Sequence, residues 1–228
     1  MYNCPAYLNQ KGQKMKTILT VIILFSGLLI SGCTSNEISE QNSALDNEPV
    51  FGADIEEIIT EDLSEAEIDG LQFMREEEKL ARDVYTLLYE KWGKRVFNNI
   101  AQSEQRHTDA IKTLINKYEL EDPVKIDTPG TFEDKDLQNL YNTLIAKGDS
   151  SLVDALLVGA LIEEVDINDI QKELVEHVDN QDIVFVYDNL INGSYNHLRA
   201  FNKNLARQGI VYEPQILSKE QFNSIINQ

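Results

Sequence analysis

Two of the three histidines in this chain, His107 and His197, fall on the apolar stripes of separate predicted helices. His107 closes a Glu-x-x-His pair, Glu104-Gln105-Arg106-His107. Side chains three residues apart share a helix face, so this carboxylate and this imidazole can point into one interior. Ionisable groups facing a core are costly unless something neutralises them. Acidic clusters stand on two further predicted helices, Glu76-Glu77-Glu78 and Glu163-Glu164-Val165-Asp166. One explanation covers all four segments: a metal site between the helices of a bundle.

Each segment has a plainer reading on its own. Glu78 has Arg82 four residues on, the spacing of a surface ion pair. It fits the apolar face better than Glu76 does, and Glu77 is its rival. Glu163 and Asp166 share a face after a nearly all-apolar run, while Glu164 lies in line with Ala160 and Ile167, so the choice between Glu163 and Glu164 stays open. His197, in line with Leu190, Ser194, Phe201 and Leu205, can also be read as a hydrogen-bonded core histidine. His177, beside Glu176 and Asp179 near a helix end, reads as a surface residue. Together, however, four helices each bring a carboxylate or an imidazole toward the middle of a bundle. A set rich in carboxylates with a few imidazoles suits iron or manganese, and zinc less specifically. The expected cofactor is iron, with manganese or zinc behind it. No P-loop, Gly-rich dinucleotide turn or serine-nucleophile triad is present.

The elements that must position these residues are all helical. Ser64-Glu65-Ala66-Glu67 matches a capping box and opens a first helix, with Leu71, Met74, Ala81, Tyr85 and Leu88 at helical spacing and Gly93 as its stop. A second helix runs from about Arg95 to Tyr118, with Ile100, Glu104, His107, Ile111 and Leu114 as its buried stripe. Asp122-Pro123 and Pro129-Gly130 mark a long connection that contains a short helix from about Asp134 to Ala146. A third long helix runs from Ser150 or Ser151 to about Val178, and a fourth from about Gln181 to Gln208. The tail holds Pro214 and a short helix after Ser218. Two helical hairpins joined by a long link make an all-α fold, a ferritin-like four-helix bundle with a long crossover between the second and third helices.

Residues 1–32 read as a lipoprotein signal peptide. Lys11, Lys14 and Lys16 form a basic region, Thr17 to Ile30 an apolar one, and Ile30-Ser31-Gly32-Cys33 resembles a lipobox with Cys33 as the lipidated residue. Met15 is a plausible start within it. The apolar run is short for a membrane span. Residues 33–62, rich in Ser, Asn, Asp and Glu, read as a flexible tether, and 63–228 as the helical domain. Cleavage before Cys33 would remove Cys4, the other of the two cysteines, and leave the domain without a disulfide or a thiolate centre. The expected location is the cell envelope, lipid-anchored outside the cytoplasmic membrane. A net charge of −19 argues against nucleic acid as a partner.

The segments Glu76 to Tyr85, Ser103-Glu104-Gln105-Arg106-His107, Gly159 to Ile167 and Gly193 to Phe201 resemble, in this order, the domain of unknown function family 2202 of the ferritin-like superfamily. The resemblance covers roughly Leu71 to Tyr212. It implies a di-iron carboxylate site, two irons per chain, and oxygen or peroxide chemistry. Carried onto this chain, the ligands would be Glu78, Glu104, His107, Glu163 with Asp166, and His197. The fourth-helix glutamate that usually stands three residues before the histidine is Ser194 here, and Asp166 is the carboxylate able to replace it.

Three functions follow as expectations. The first is a membrane-tethered di-metal protein with ferroxidase or peroxidase-type redox activity. The second is a helical lipoprotein that binds metal or a partner without turnover. The third is a structural bundle whose buried polar groups pair only with each other. The expected partners are the bilayer, through the anchor at Cys33, a separate electron donor if the centre is redox-active, and a second copy of the chain as a homodimer.

Overall fold

The structure, a computed structural model, describes residue 55 and residues 57–228. Every regular element among them is an α-helix: α1 (Glu65–Trp92), α2 (Arg95–Lys117), α3 (Lys135–Gly148), α4 (Leu152–Glu176), α5 (Gln181–Arg207) and α6 (Lys219–Ile226). No helix of the described residues is long and apolar enough to cross a membrane. The signal-peptide and lipobox segment with Cys33, and most of the tether, lie outside the described residues. Of the tether's last residues, Ile55 is buried, and Lys117 Nζ donates to the carbonyls of Ile55 and Ile58.

The helix ends are written in local chemistry. Ser64 Oγ accepts from the Glu67 amide while the Glu67 carboxylate accepts from Ser64 N, a complete capping box. Gly93 closes α1 in the left-handed region at φ 63°, where a side chain would be strained. Ser151 caps α4, and Ser218 with Gln221 forms a second capping box on α6. The third long helix stops at Glu176, two residues before the expected Val178. Glu67 explains the difference: its Oε1 accepts from the amides of Asp179 and Asn180 and draws the chain off the helical path.

Packing follows a seam that recurs every three or four residues. On α1 it is Leu71, Met74, Glu78, Ala81, Tyr85 and Leu88; on α2 Phe97, Ile100, Glu104, His107, Ile111 and Leu114, all buried. Such a spacing keeps one stripe facing neighbouring helices along the whole length. The pairings among the four long helices are antiparallel. Tyr85 bonds Gly159 near one end of the α1–α4 contact and Glu67 reaches Asn180 at the other. Between α2 and α5, His197 meets Glu104 and Asp182 meets Lys117.

With α1 paired to both α2 and α4, those two helices run in the same direction. The chain must therefore return the length of the bundle between them, and the link that contains α3 does this. It is fastened to the outward face of α1, where Arg75 meets Asp122, Lys79 donates to the Thr128 and Thr131 carbonyls, Arg82 meets Asp127, and Asp83 accepts from Gly130 N. The result is an all-α bundle of two helical hairpins with a long crossover, as the sequence predicts.

Candidate metal centre

Four seams carry polar residues at the same level. Glu78 replaces an apolar residue on α1, Glu104 and His107 on α2, Glu163 and Asp166 on α4, and Ser194 and His197 on α5, and all are buried. Consecutive residues of a helix point about 100° apart, which is why Glu76, Glu77 and Glu78 part company. Glu78 faces the middle. Glu76 turns outward to accept the amides of Glu133 and Asp134 in the crossover. Glu77 turns toward the acids of α4.

Glu104 is the hub. Its Oε2 lies 2.8 Å from His107 Nδ1 and its Oε1 lies 2.9 Å from His197 Nδ1. Each imidazole meets a second carboxylate: His107 Nδ1 is 3.3 Å from Glu78 Oε2, and His197 Nδ1 is 3.3 Å from Glu163 Oε2. The two rings stack with centroids 5.6 Å apart. Two triads result, Glu78–Glu104–His107 and Glu104–Glu163–His197, in each of which the donor atoms lie within 4.8 Å of one another. Glu104 belongs to both.

Burial opposes a charged carboxylate throughout the centre, and the outcome differs from residue to residue. At Glu104 the imidazoles of His197 and His107 outweigh burial and hold the carboxyl below its ordinary range. Burial also works against a charged His197, but Glu104 and Glu163 outweigh it and raise its pKa well above the usual value. At Glu78 burial prevails over the attraction of His107, and its pKa rises to about 7. Asp166 is pushed well up by burial and by the charges of Glu78, Glu104 and Glu163.

Further side chains finish the walls. The Tyr85 hydroxyl donates to Glu163 Oε1 at 2.5 Å, with Gly159 O at 3.2 Å. Burial and the Glu163 charge raise its pKa well above the usual value, so it remains a donor. The rings of Tyr85, Phe97 and Phe201 pack together with centroids 5.3–6.5 Å apart. A side chain at Gly159 would meet Phe201 at 2.3 Å, so only glycine admits that ring. Ser194 and Asp166 are hydrogen-bonded across α4 and α5.

The donor set fits two divalent cations. Glu78 Oε1 and Asp166 Oδ1 are buried without hydrogen-bond partners, an arrangement that is costly in an interior. Four carboxylates, Glu78, Glu104, Glu163 and Asp166, would carry the negative charge that two such cations cancel. Burial and the surrounding carboxylates push the pKa of both Glu78 and Asp166 up. Oxygen donors with two imidazoles match iron or manganese better than a thiolate-seeking metal.

Of the residues singled out in the sequence, Glu78, Glu104, His107, Glu163 and His197 are brought together in the two triads, and Asp166 lies on the same α4 seam beside Ser194. Glu164 is placed elsewhere, against the C-terminal segment: it accepts from the Tyr212 hydroxyl and from the amides of Gln215, Ile216 and Leu217. Arg82 does not pair with Glu78; it meets Asp83 and Asp127. His177 lies at the end of α4, 3.6 Å from Glu176. The hydrogen bond from Tyr85 to Glu163 was not foreseen, although Tyr85 stands seven residues after Glu78 and so on its face. Glu77, the rival of Glu78 for the apolar face, is buried beside it rather than in its place.

Residues 67–228 match the family model described as an uncharacterized protein domain, DUF2202. An uncharacterized protein, MJ0754, from Methanocaldococcus jannaschii is 53% identical over 165 residues, which span 72% of this chain and 89% of that protein. The crystal structure of the hypothetical protein MJ0754 superposes with a TM-score of 0.73 at 51% identity, covering 75% of this chain and 97% of the crystallised one.

Proposed function

This chain belongs to the DUF2202 family, and from that premise we propose that its bundle is a ferritin-like holder of a two-metal carboxylate centre, with iron foremost, displayed at the cell envelope on a lipid at Cys33. The observation that carries the reading is the pair of buried triads sharing Glu104. The two oxygens of Glu104 face different imidazoles, so one carboxylate can serve two cation positions. Glu78 and His107 would complete one position, and Glu163 and His197 the other. The antiparallel bundle with its long crossover supports the ferritin-like comparison, and the lipobox supports the anchor.

When bound, two iron ions would supply oxidation of Fe(II) by dioxygen or peroxide. The chain's own residues prepare for that chemistry. Burial raises the pKa of Glu78 and Asp166, so any proton they hold would be given up if cations bound there. Tyr85 fixes the Glu163 carboxylate by donating to Oε1, which leaves Oε2 turned to His197. Phe97 and Phe201 exclude water from one side. No cysteine lies in the domain, so electrons would come from a separate donor.

The test is metal analysis of the mature chain purified without chelators. About two irons per chain supports the reading; no metal after anaerobic reconstitution with Fe(II) or Mn(II) sinks it. A second reading, metal binding without turnover, is favoured by one observation. Ser194 stands where a carboxylate would be, and it engages Asp166. Metal bound without oxygen- or peroxide-dependent oxidation of Fe(II) would select that reading.

A further inference from the structure

Next to the centre lies a buried carboxylate that neither triad uses. Glu77 is 6% exposed, and both of its oxygens are buried without hydrogen-bond partners. The charges that act on it most strongly are all carboxylates: Asp169, Asp166, Glu78 and Glu173. Such a group is among the least favourable placements in a protein interior. It stands in contrast to Glu76, whose oxygens are filled by backbone amides.

The acids around Glu77 form a line. Asp166, Asp169 and Glu173 follow one another at three and four residues along α4 and therefore share a face. They run from the centre toward the end of α4, and exposure grows on the way: Asp166 is buried, while Asp169 and Glu173 are partly exposed. Helix α1 makes room for the outer end. At Gly70, seven residues before Glu77, a Cβ would lie 2.6 Å from Glu173 Oε2. The Tyr187 hydroxyl faces the same acids from α5, buried and without a hydrogen-bond partner, 3.7 Å from the same Cβ position. A second unfilled oxygen thus lies along the line. Lys172, which is exposed, acts on Asp169.

We propose that this line is the path by which divalent cations reach the centre: Glu173 and Asp169 collect a hydrated ion at the bundle surface, and Glu77 takes it up and hands it to Glu78 and Asp166. The proposal rests on the two-metal reading above and adds the route to it. The oxygens of Glu77 and its neighbours do not form a compact triad among the described residues, which suits a group that transfers an ion rather than keeps one. A row of one charge sign draws counter-ions in and raises the rate of capture, and the effect weakens with ionic strength.

The test follows uptake of Co(II) by the metal-free mature chain in stopped flow, reading the cobalt absorption, with the final stoichiometry measured separately. Glu77→Gln keeps the shape and removes the charge. It is expected to slow filling at least about tenfold while leaving the wild-type stoichiometry. The double variant Asp169→Asn/Glu173→Gln, at partly exposed positions, is expected to slow filling and to flatten its dependence on salt; it decides the matter should Glu77→Gln fail to fold. Filling at the wild-type rate in the Glu77 variant overturns the route and leaves the two-metal reading standing. A lowered stoichiometry also overturns it, because Glu77 would then be a resident ligand. If the wild-type chain itself takes up no Co(II), the two-metal reading falls, and the route with it.

Discussion

Glu163 and Glu164 are neighbours on α4, both are buried, and they differ in what completes them. Glu164 is finished by the protein: the Tyr212 hydroxyl and three backbone amides fill its oxygens. Glu163 faces an imidazole and a tyrosine, within reach of two other carboxylates that have unfilled oxygens. The same contrast recurs on α1, where Glu67 and Glu76 accept backbone amides and Glu77 and Glu78 do not. A buried acid saturated with amides is a fastener, because its charge is already solvated by the chain. A buried acid set among other acids leaves a charge that something outside the chain must balance.

The largest effect expected from breaking this contrast is at the fastener. Glu164→Ala strips the partner from three amides and a phenol, and should cost about 3–5 kcal/mol in urea unfolding. Metal content should not change. At the centre the reverse is expected. Metal at a hundred times its dissociation constant should stabilise the wild-type fold by about 2.7 kcal/mol, read as a rise in Tm. Glu104→Gln with His107→Ala should abolish that rise, whereas Glu164→Ala should keep it. A rise that survives the loss of Glu104 and His107 would place the metal elsewhere.

Acidity sharpens the contrast further. Glu78 titrates near 7 in the folded protein against an ordinary value of 4.5. Between those values the folded chain holds a proton that the unfolded chain has released, so metal-free stability must fall as pH rises. Asp166 and Glu77 act in the same direction. His197, whose folded pKa is raised, adds to the fall above 6.5. Glu104 has the opposite sign, but its depressed pKa places that effect below 4.5. Melting of the metal-free chain should therefore show a loss of about 2.5 kcal/mol between pH 5 and 8 from Glu78 alone. With metal bound the slope should reverse, since cations replace the protons. The smallest effect is at Ser194→Ala, about 1 kcal/mol, for the loss of its bond to Asp166. A metal content unchanged in that variant would show that the serine supports the carboxylate and does not bind the ion.

Much of this was legible in the sequence. Ser64 and Glu67 announce the start of α1, Gly93 its end, and the three-and-four spacing its buried face. The seam of α2 shows Glu104 and His107 where apolar residues belong, so their inward direction follows from the spacing alone. Adjacent acids were harder. Glu163 and Glu164 differ by 100° of rotation on a helix that is apolar almost all round, so the pattern alone does not tell which side faces the middle. The decision rests with residues some fifty positions away, Gln215 to Leu217, whose amides claim Glu164. That Glu77 and Glu78 are both buried was hidden for a related reason. A helix pattern marks one buried stripe, whereas α1 is covered on three sides, by α2, by α4 and by the crossover.

The three rings of Tyr85, Phe97 and Phe201 give the centre a polarity. They adjoin its triads on the side toward Gly159 and present carbon where Asp169 and Glu173 present oxygen. An ion crossing that layer would lose its hydration shell with nothing to replace it, at a cost no thermal fluctuation supplies. On the proposed route, ions would therefore reach the centre from the acidic end and not through the layer of rings.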